Sequence, residues 1–157
     1  MKLRNILFLF SICFNASAQD LLQERIRKIS QKKVSVYRKG GIFHNGSINH
    51  KGTLKAIRHH FSAQKGYERI VFDFAGEKVP RVYGHIDSKK KKIFIDFFDT
   101  SMDPKMASFG ESRYVDNFDF FPISKESLSI EVSLKHSFAA DVFYLEKPGR
   151  FIIDVKN

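Results

Sequence analysis

The sequence predicts an all-β protein built as a β-sandwich of two pseudo-symmetric sheets. Two observations indicate this fold. An offset of 58 positions relates strand segments in residues 69–98 to segments in residues 127–156, and in both copies apolar residues alternate with polar ones. Alternation of this kind is typical of a strand with one buried face. A repeated multi-strand unit closes one core with its copy, because one copy alone cannot bury its apolar face.

The repeat is most regular around four acidic residues. Asp73 and Asp96 are 23 positions apart in the first copy, and Glu131 and Asp154 are 23 positions apart in the second. Nine of the ten aligned positions around them keep their residue class. Because the acids recur by symmetry, we expect a structural role on outer strand faces rather than a catalytic carboxylate pair.

Residues 1–18 have the regions of a secretory signal peptide. A basic start is followed by an apolar run over positions 6–14 and by a small-residue site that ends at Ala18. We therefore expect cleavage after Ala18, periplasmic localisation and no transmembrane segment in the mature chain, with an uncleaved anchor as the alternative. Cleavage removes Cys13, the only cysteine, so the mature chain has no thiol chemistry.

Residues 19–51 are predicted to form a flexible, basic tether. Leu22, Ile26 and Ile29 fall at helical spacing, which indicates a short amphipathic helix from Asp20 to Gln31. The polar sequence that follows is rich in Gly, Asn, His and Lys, as in a flexible connection.

From Gly52 onward we predict four strands in each copy. Turn sequences at 87–90 and 146–149 mark a hairpin in each copy. The strands are expected near 54–61, 69–75, 80–86 and 92–98, and then near 113–119, 127–134, 139–145 and 150–156.

Two segments resemble a known family. Residues 69–76, RIVFDFAG, are similar to the first strand motif of the AMIN domain. Residues 142–155, VFYLEKPGRFIIDV, resemble its closing hairpin, in which an Arg, an apolar triplet and an Asp follow a turn that contains Pro. The resemblance covers residues 52–157, and it implies an exported sandwich of two symmetrical sheets.

The resemblance also implies a non-catalytic function. AMIN domains occur beside N-acetylmuramoyl-L-alanine amidases and type IV pilus secretins in bacterial envelopes. Similarity to them implies peptidoglycan binding and localisation to the cell envelope. The alternative is a protein–protein adaptor in an envelope machine, such as a pilus, secretion or motility apparatus.

The residues themselves give no reason to expect an enzyme. The sequence has no Gly-x-Ser-x-Gly elbow, and the mature chain has no cysteine nucleophile. The six His residues lack the spacing of a zinc site, so we expect no metal and no cofactor.

Eight residues are candidates for ligand binding. An Arg suits bidentate contact with a stem-peptide carboxylate, a Lys-rich turn suits an anionic polymer, and exposed Phe side chains suit sugar stacking. The alternatives are cross-strand ion pairs, a solvated turn and a covered strand. The candidates are Arg69, Lys89, Lys90, Lys91, Lys92, Phe94, Phe98 and Arg150.

The charge of the chain limits its partners. The full sequence carries +10, and loss of Lys2 and Arg4 with the signal peptide leaves 25 basic residues against 17 acidic ones, or +8. Outside the cytoplasm this charge favours peptidoglycan or another anionic envelope polymer over nucleic acid.

Overall fold

The computed structural model describes residues 26–32, 34–46, 50–107, 109–124 and 127–157. These residues form eleven strands and no helix, so the described part has no helical segment that could cross a membrane. The predicted signal peptide lies outside the described residues. The strands are β1 (Ile26–Lys28), β2 (Gly40–His44), β3 (Gly52–Ser62), β4 (Tyr67–Phe74), β5 (Val82–Asp87), β6 (Lys92–Phe98), β7 (Thr100–Met102), β8 (Val115–Ser124), β9 (Ser127–Leu134), β10 (Ala139–Leu145) and β11 (Arg150–Lys156).

The strands build two packed sheets, which confirms the predicted β-sandwich. The six-stranded sheet has the order β1-β2-β5-β6-β9-β8, and the five-stranded sheet has the order β10-β11-β4-β3-β7. Pairing is antiparallel except for β1 with β2 and β3 with β7. All eight predicted strands are present, four of them with the predicted bounds. β8 runs to Ser124, five residues further than predicted.

The two copies of the repeat exchange their sheets. The first copy gives β3–β4 to the five-stranded sheet and β5–β6 to the six-stranded sheet, whereas the second copy does the reverse with β8–β9 and β10–β11. Replacing each strand in β5-β6-β9-β8 by its repeat partner gives β10-β11-β4-β3, which is the observed order of the other sheet. The sandwich is therefore pseudo-symmetric.

The strand register is the same in the hairpins β5–β6 and β10–β11, but it differs between the pairs β6–β9 and β11–β4, which join the two copies. Tyr83 lies opposite Asp96, and the equivalent Asp141 lies opposite Asp154. Between the copies the pairing is shifted by two residues, because Asp96 faces Ser129 whereas Asp154 faces Arg69.

Apolar side chains from the inner faces of both sheets form one core. Three fully buried rings at its centre, Phe72, Phe97 and Phe151, lie with centroids 5.3–5.8 Å apart. Tilted and edge-to-face contacts of this kind stabilise aromatic pairs beyond their burial. Each buried ring adds about 1.5–3 kcal/mol of hydrophobic stabilisation.

The prediction of a flexible tether over residues 19–51 is wrong for its described part. β1 takes the place of the expected helix at residues 26–28, and β2 pairs antiparallel with β5. Ile29 and Phe43 are buried, with the Phe43 ring stacked 5.9 Å from Phe151. A short helix is marginal on its own, so burial against the sandwich decides the conformation here.

Candidate functional site

The structure divides the eight predicted ligand-binding residues between two surfaces. Lys89–Lys92, Phe94 and Phe98 belong to the β5–β6 turn and the outer side of the six-stranded sheet. Arg69 and Arg150 lie on β4 and β11 in the five-stranded sheet. Stacked sheets lie about 10 Å apart, with the core between them, so the two groups cannot contact one small ligand together.

Strand alternation places aromatic side chains on the outside of the six-stranded sheet. In β6, Ile93, Ile95 and Phe97 are buried, so Phe94 and Phe98 lie on the opposite face. His85 of β5 stacks on Phe94 with the ring centroids 6.2 Å apart. We call this outer surface the aromatic face. Its residues are Tyr83, His85, Phe94, Phe98, Phe121 and Ile123.

The most exposed apolar side chains of the aromatic face lie on β5 and on β8, with β6 and β9 between them. Tyr83 on β5 is 42% exposed, whereas Phe121 and Ile123 on β8 are 52% and 68% exposed. Between them runs a polar strip, in which Ser129 donates a hydrogen bond to Asp96 and Lys92 pairs with Glu131. The face thus combines exposed apolar side chains with polar groups that could form hydrogen bonds to a ligand.

One end of the aromatic face is basic. Lys89, Lys90 and Lys91 are exposed in the β5–β6 turn. The backbone N–H of Lys90 donates to Asp87 at 3.0 Å, and this hydrogen bond lowers the pKa of that carboxyl. Lys92 is half-buried and already paired with Glu131, so only three of the four predicted lysines are exposed to solvent.

Arg69 has a structural partner. It donates two hydrogen bonds to the fully buried Asp154, at 2.7 and 2.8 Å, and this contact raises the pKa of Arg69. Arg150 is half-buried in the register position opposite Asp73. Its Nε atom is buried without a hydrogen-bond partner among the described residues. The structure thus assigns Arg69 to an internal ion pair.

The four acids of the repeat lie on outer strand faces, as expected. Each of them has a polar or charged side-chain partner, and this pairing gives it a structural role. The partners are Arg58 for Asp73, Ser129 for Asp96, Lys92 for Glu131, and Arg69 together with Lys32 for Asp154.

A second charged cluster was not predicted from the sequence. Asp141 on β10 lies directly opposite Asp154, and Nζ of Lys32 lies 3.1 Å from the first and 2.9 Å from the second carboxylate. Tyr37 lies near both, and burial, followed by these two negative charges, raises the pKa of Tyr37 to about 12. The cluster was missed because Lys32 and Tyr37 fall in the predicted tether.

Within the described residues, no three His, Cys, Asp or Glu side chains lie close enough together to hold a metal ion. Comparisons of the chain with protein-family models, with curated proteins and with solved structures found no match. The assignment of a function therefore rests on the residues and their geometry.

Proposed function

We propose that the protein is an exported, non-catalytic, AMIN-like domain that binds peptidoglycan and thereby localises to the cell envelope. The exchange of the two sheets by the 58-residue repeat is the observation that supports this most directly. This exchange gives a sandwich of two pseudo-symmetric sheets, and a sandwich of two symmetrical sheets is what the resemblance over residues 69–76 and 142–155 implies. The proposed binding surface is the aromatic face with the exposed turn Lys89–Lys91.

The chemistry of this surface suits a polymer of sugars and acidic peptides. The exposed rings of Tyr83 and Phe121 offer flat apolar surfaces on which sugar rings can stack. Lys89–Lys91 supply positive charge for stem-peptide carboxylates at the end of the same surface. Contacts of this kind are exposed, so salt weakens them.

The proposed site leaves out three of the residues expected from the sequence, and the first is Lys92, which is half-buried and paired with Glu131. Arg69 is left out because its guanidinium is occupied by Asp154. Arg150 is left out because it lies on the other sheet, half-buried and away from the aromatic face. Phe94 and Phe98 remain in the site, where they support the outer surface beside His85 and Arg81.

Co-sedimentation with purified peptidoglycan sacculi tests the proposal. The variant Lys89→Gln/Lys90→Gln/Lys91→Asn removes the charge of the turn; Asn is chosen because Lys91 has a φ of 59°, which Asn tolerates. The control Lys55→Gln/Lys65→Gln/Lys105→Gln removes the same charge from exposed positions elsewhere.

We expect the wild type and the control to pellet with sacculi at low salt, and the turn variant to stay largely in the supernatant. Tyr83→Ser and Phe121→Ser should also weaken pelleting, and no muropeptide should be released. Equal pelleting of the two triple variants, with no effect of salt, would refute the charge-assisted site. A protein that pellets only after addition of envelope extract would instead be an adaptor.

The adaptor alternative is favoured by one feature of the fold. β8 is an edge strand of the six-stranded sheet, and it carries the exposed apolar side chains Phe121 and Ile123. Edge strands offer unpaired backbone groups to a partner strand. The sacculus experiment distinguishes the two functions because a wall binder needs no second protein.

Export is part of the same proposal. It is supported by the order of charged, apolar and small residues over positions 1–18. The intact mass of the protein from an envelope fraction should correspond to a chain that begins at Gln19. A chain that begins at Met1, or that carries lipid on Cys13, would refute cleavage after Ala18.

A further inference from the structure

A cleft lies on the five-stranded sheet, on the opposite side of the molecule from the aromatic face. Residues 30–32 and 34–38, here called the strap, lie between β1 and β2 in the chain and touch the edge strand β10 at two isolated bridges, Gln31 with Tyr144 and Arg38 with Ala140. Between the strap and β10 lies a cleft of about 570 Å³. This volume falls within the roughly 300–1,000 Å³ that is usual for small-molecule sites.

The inner wall of the cleft carries a carboxylate without hydrogen bonds. Asp141 is 1% exposed and lines the cleft, yet neither of its oxygens accepts a hydrogen bond from any residue that the structure describes. Nζ of Lys32 forms an ion pair with it at 3.1 Å but without the geometry of a hydrogen bond, and donates one to Asp154 at 2.9 Å. Buried polar groups are nearly always hydrogen-bonded, and an unsatisfied buried carboxylate is costly. Asp141 is therefore suited to accept hydrogen bonds from a cationic N–H donor in the cleft.

The rim of the cleft carries the opposite charge. Arg27 lines the cleft with its Nη1 3.8 Å from Asp141, which is beyond hydrogen-bond distance. Its one described hydrogen bond is a long one, 3.4 Å, to the carbonyl oxygen of Val36. A guanidinium has five N–H donors and binds carboxylates in a bidentate manner. Arg27 thus has donors available for a ligand carboxylate.

We propose that this cleft binds a compact zwitterion, namely an α-amino acid or the terminal unit of a short peptide. Its ammonium group would donate to Asp141, and its carboxylate would accept from Arg27. Around the cleft, the three charges of Arg27, Lys32 and Arg69 face the two of Asp141 and Asp154. A zwitterion offers a donor to Asp141 and an acceptor to Arg27 at once, whereas a lone cation or a lone anion serves only one of them.

This inference does not rest on the proposed function, because it concerns a different surface. It is tested by titration of the isotopically labelled protein with L-alanine, D-alanine, L-lysine and D-alanyl-D-alanine, followed by NMR. N-acetylalanine and alaninamide are the matched probes, since the first lacks the ammonium group and the second lacks the carboxylate. The dipeptide distinguishes a peptide terminus from a free amino acid.

We expect at least one zwitterion to shift the amide resonances of the strap and of β10 in a saturable manner, and both matched probes to bind about tenfold or more weakly. Asp141→Asn should weaken binding by a similar factor. The control Asp73→Asn, which alters a half-buried carboxylate on the same sheet, should bind as the wild type does.

A second variant keeps the test independent of folding. Val34 lines the cleft and is 74% exposed, so Val34→Trp should obstruct the cleft without disturbing the core. It should abolish the shifts while the spectrum of the remaining protein stays unchanged. The proposal is overturned if no zwitterion shifts the strap, if either matched probe binds equally well, or if Val34→Trp binds as the wild type does.

Discussion

Two arginine–aspartate pairs on the five-stranded sheet use the same chemistry at very different burial. Arg69 donates two hydrogen bonds to Asp154, which is fully buried, and Arg58, which is exposed, does the same to the half-buried Asp73. Removing one partner of a buried pair leaves the other charge without solvation. Removing one partner of an exposed pair leaves a charge that water can solvate. The contribution of each arginine to stability is therefore set by the burial of its aspartate.

The first prediction compares these two pairs. Arg69→Gln should lower the free energy of unfolding by about 3 kcal/mol, because Asp154 stays buried and, among the described residues, keeps Lys32 as its ion-pair partner. Arg58→Gln should lower it by less than about 1 kcal/mol. Urea denaturation of both variants measures the difference. Equal losses of unfolding free energy in the two variants would show that the burial of the aspartate does not set the contribution of its arginine to stability.

At the scale of elements, β2 is held against β5 by a close contact. The ring of Phe43 lies over Gly84, where a Cβ atom would meet Cζ of Phe43 at 2.1 Å and the backbone oxygen of Phe94 at 2.6 Å. Only glycine leaves room for the ring. The contact explains how residues assigned to a tether become part of the sheet.

The second prediction follows from this contact. Gly84→Ala should destabilise the protein by about 1–3 kcal/mol through overpacking, because the backbone oxygen of Phe94 cannot move away. Gly40→Ala in the neighbouring β2 is the control. A Cβ there meets nothing closer than the oxygen of Ile86 at 3.6 Å, so we expect little change in the midpoint of thermal unfolding. Similar midpoints for the two variants would contradict the tight packing of β2 on β5.

The sequence predicted the strands from residue 52 onward because their burial follows a local pattern. Alternation and turn residues are visible within a few positions, and the outward phase of Phe94 and Phe98 follows from the same period. The position of β2 could not be predicted in this way. Its anchor Phe43 packs on Gly84 and Phe151, which are distant in the sequence.

The candidate site was predictable only where it depends on one hairpin. Lys89–Lys91, Phe94 and Phe98 lie on one surface because they follow one another in the chain, whereas the pairing of Lys92 with Glu131 needs β9 beside β6. The role of Arg69 depends on the pairing of β4 with β11, which places it opposite Asp154. Pairing between distant strands is set by the assembled sheets, and the cleft at Asp141 likewise needs the strap to cross β10.

At the scale of the whole molecule, the pairs β4–β11 and β6–β9 join the two copies of the repeat. Each of these four strands has a neighbour on both sides, whereas β7 and β8 lie at sheet edges. Their inner faces also carry the three central rings, Phe72, Phe97 and Phe151. Opening either pair parts the two copies within one sheet and exposes the shared core, so we expect it to require global unfolding.

The last prediction concerns amide hydrogen exchange under native conditions. The slowest amides should lie in β4, β6, β9 and β11 and should exchange with the free energy of global unfolding, because only that reaction exposes them. The equivalent strands β5 and β10 provide an internal comparison. β5 is paired along its length with β2, whereas the outer edge of β10 meets the described residues of the strap at two isolated bridges. Central amides of β10 should therefore exchange faster than those of β5. Equal exchange rates in β5 and β10 would show that the strap protects the outer edge of β10 as completely as a paired strand does. Early exchange in β4 or β11 would contradict a core shared by the two copies.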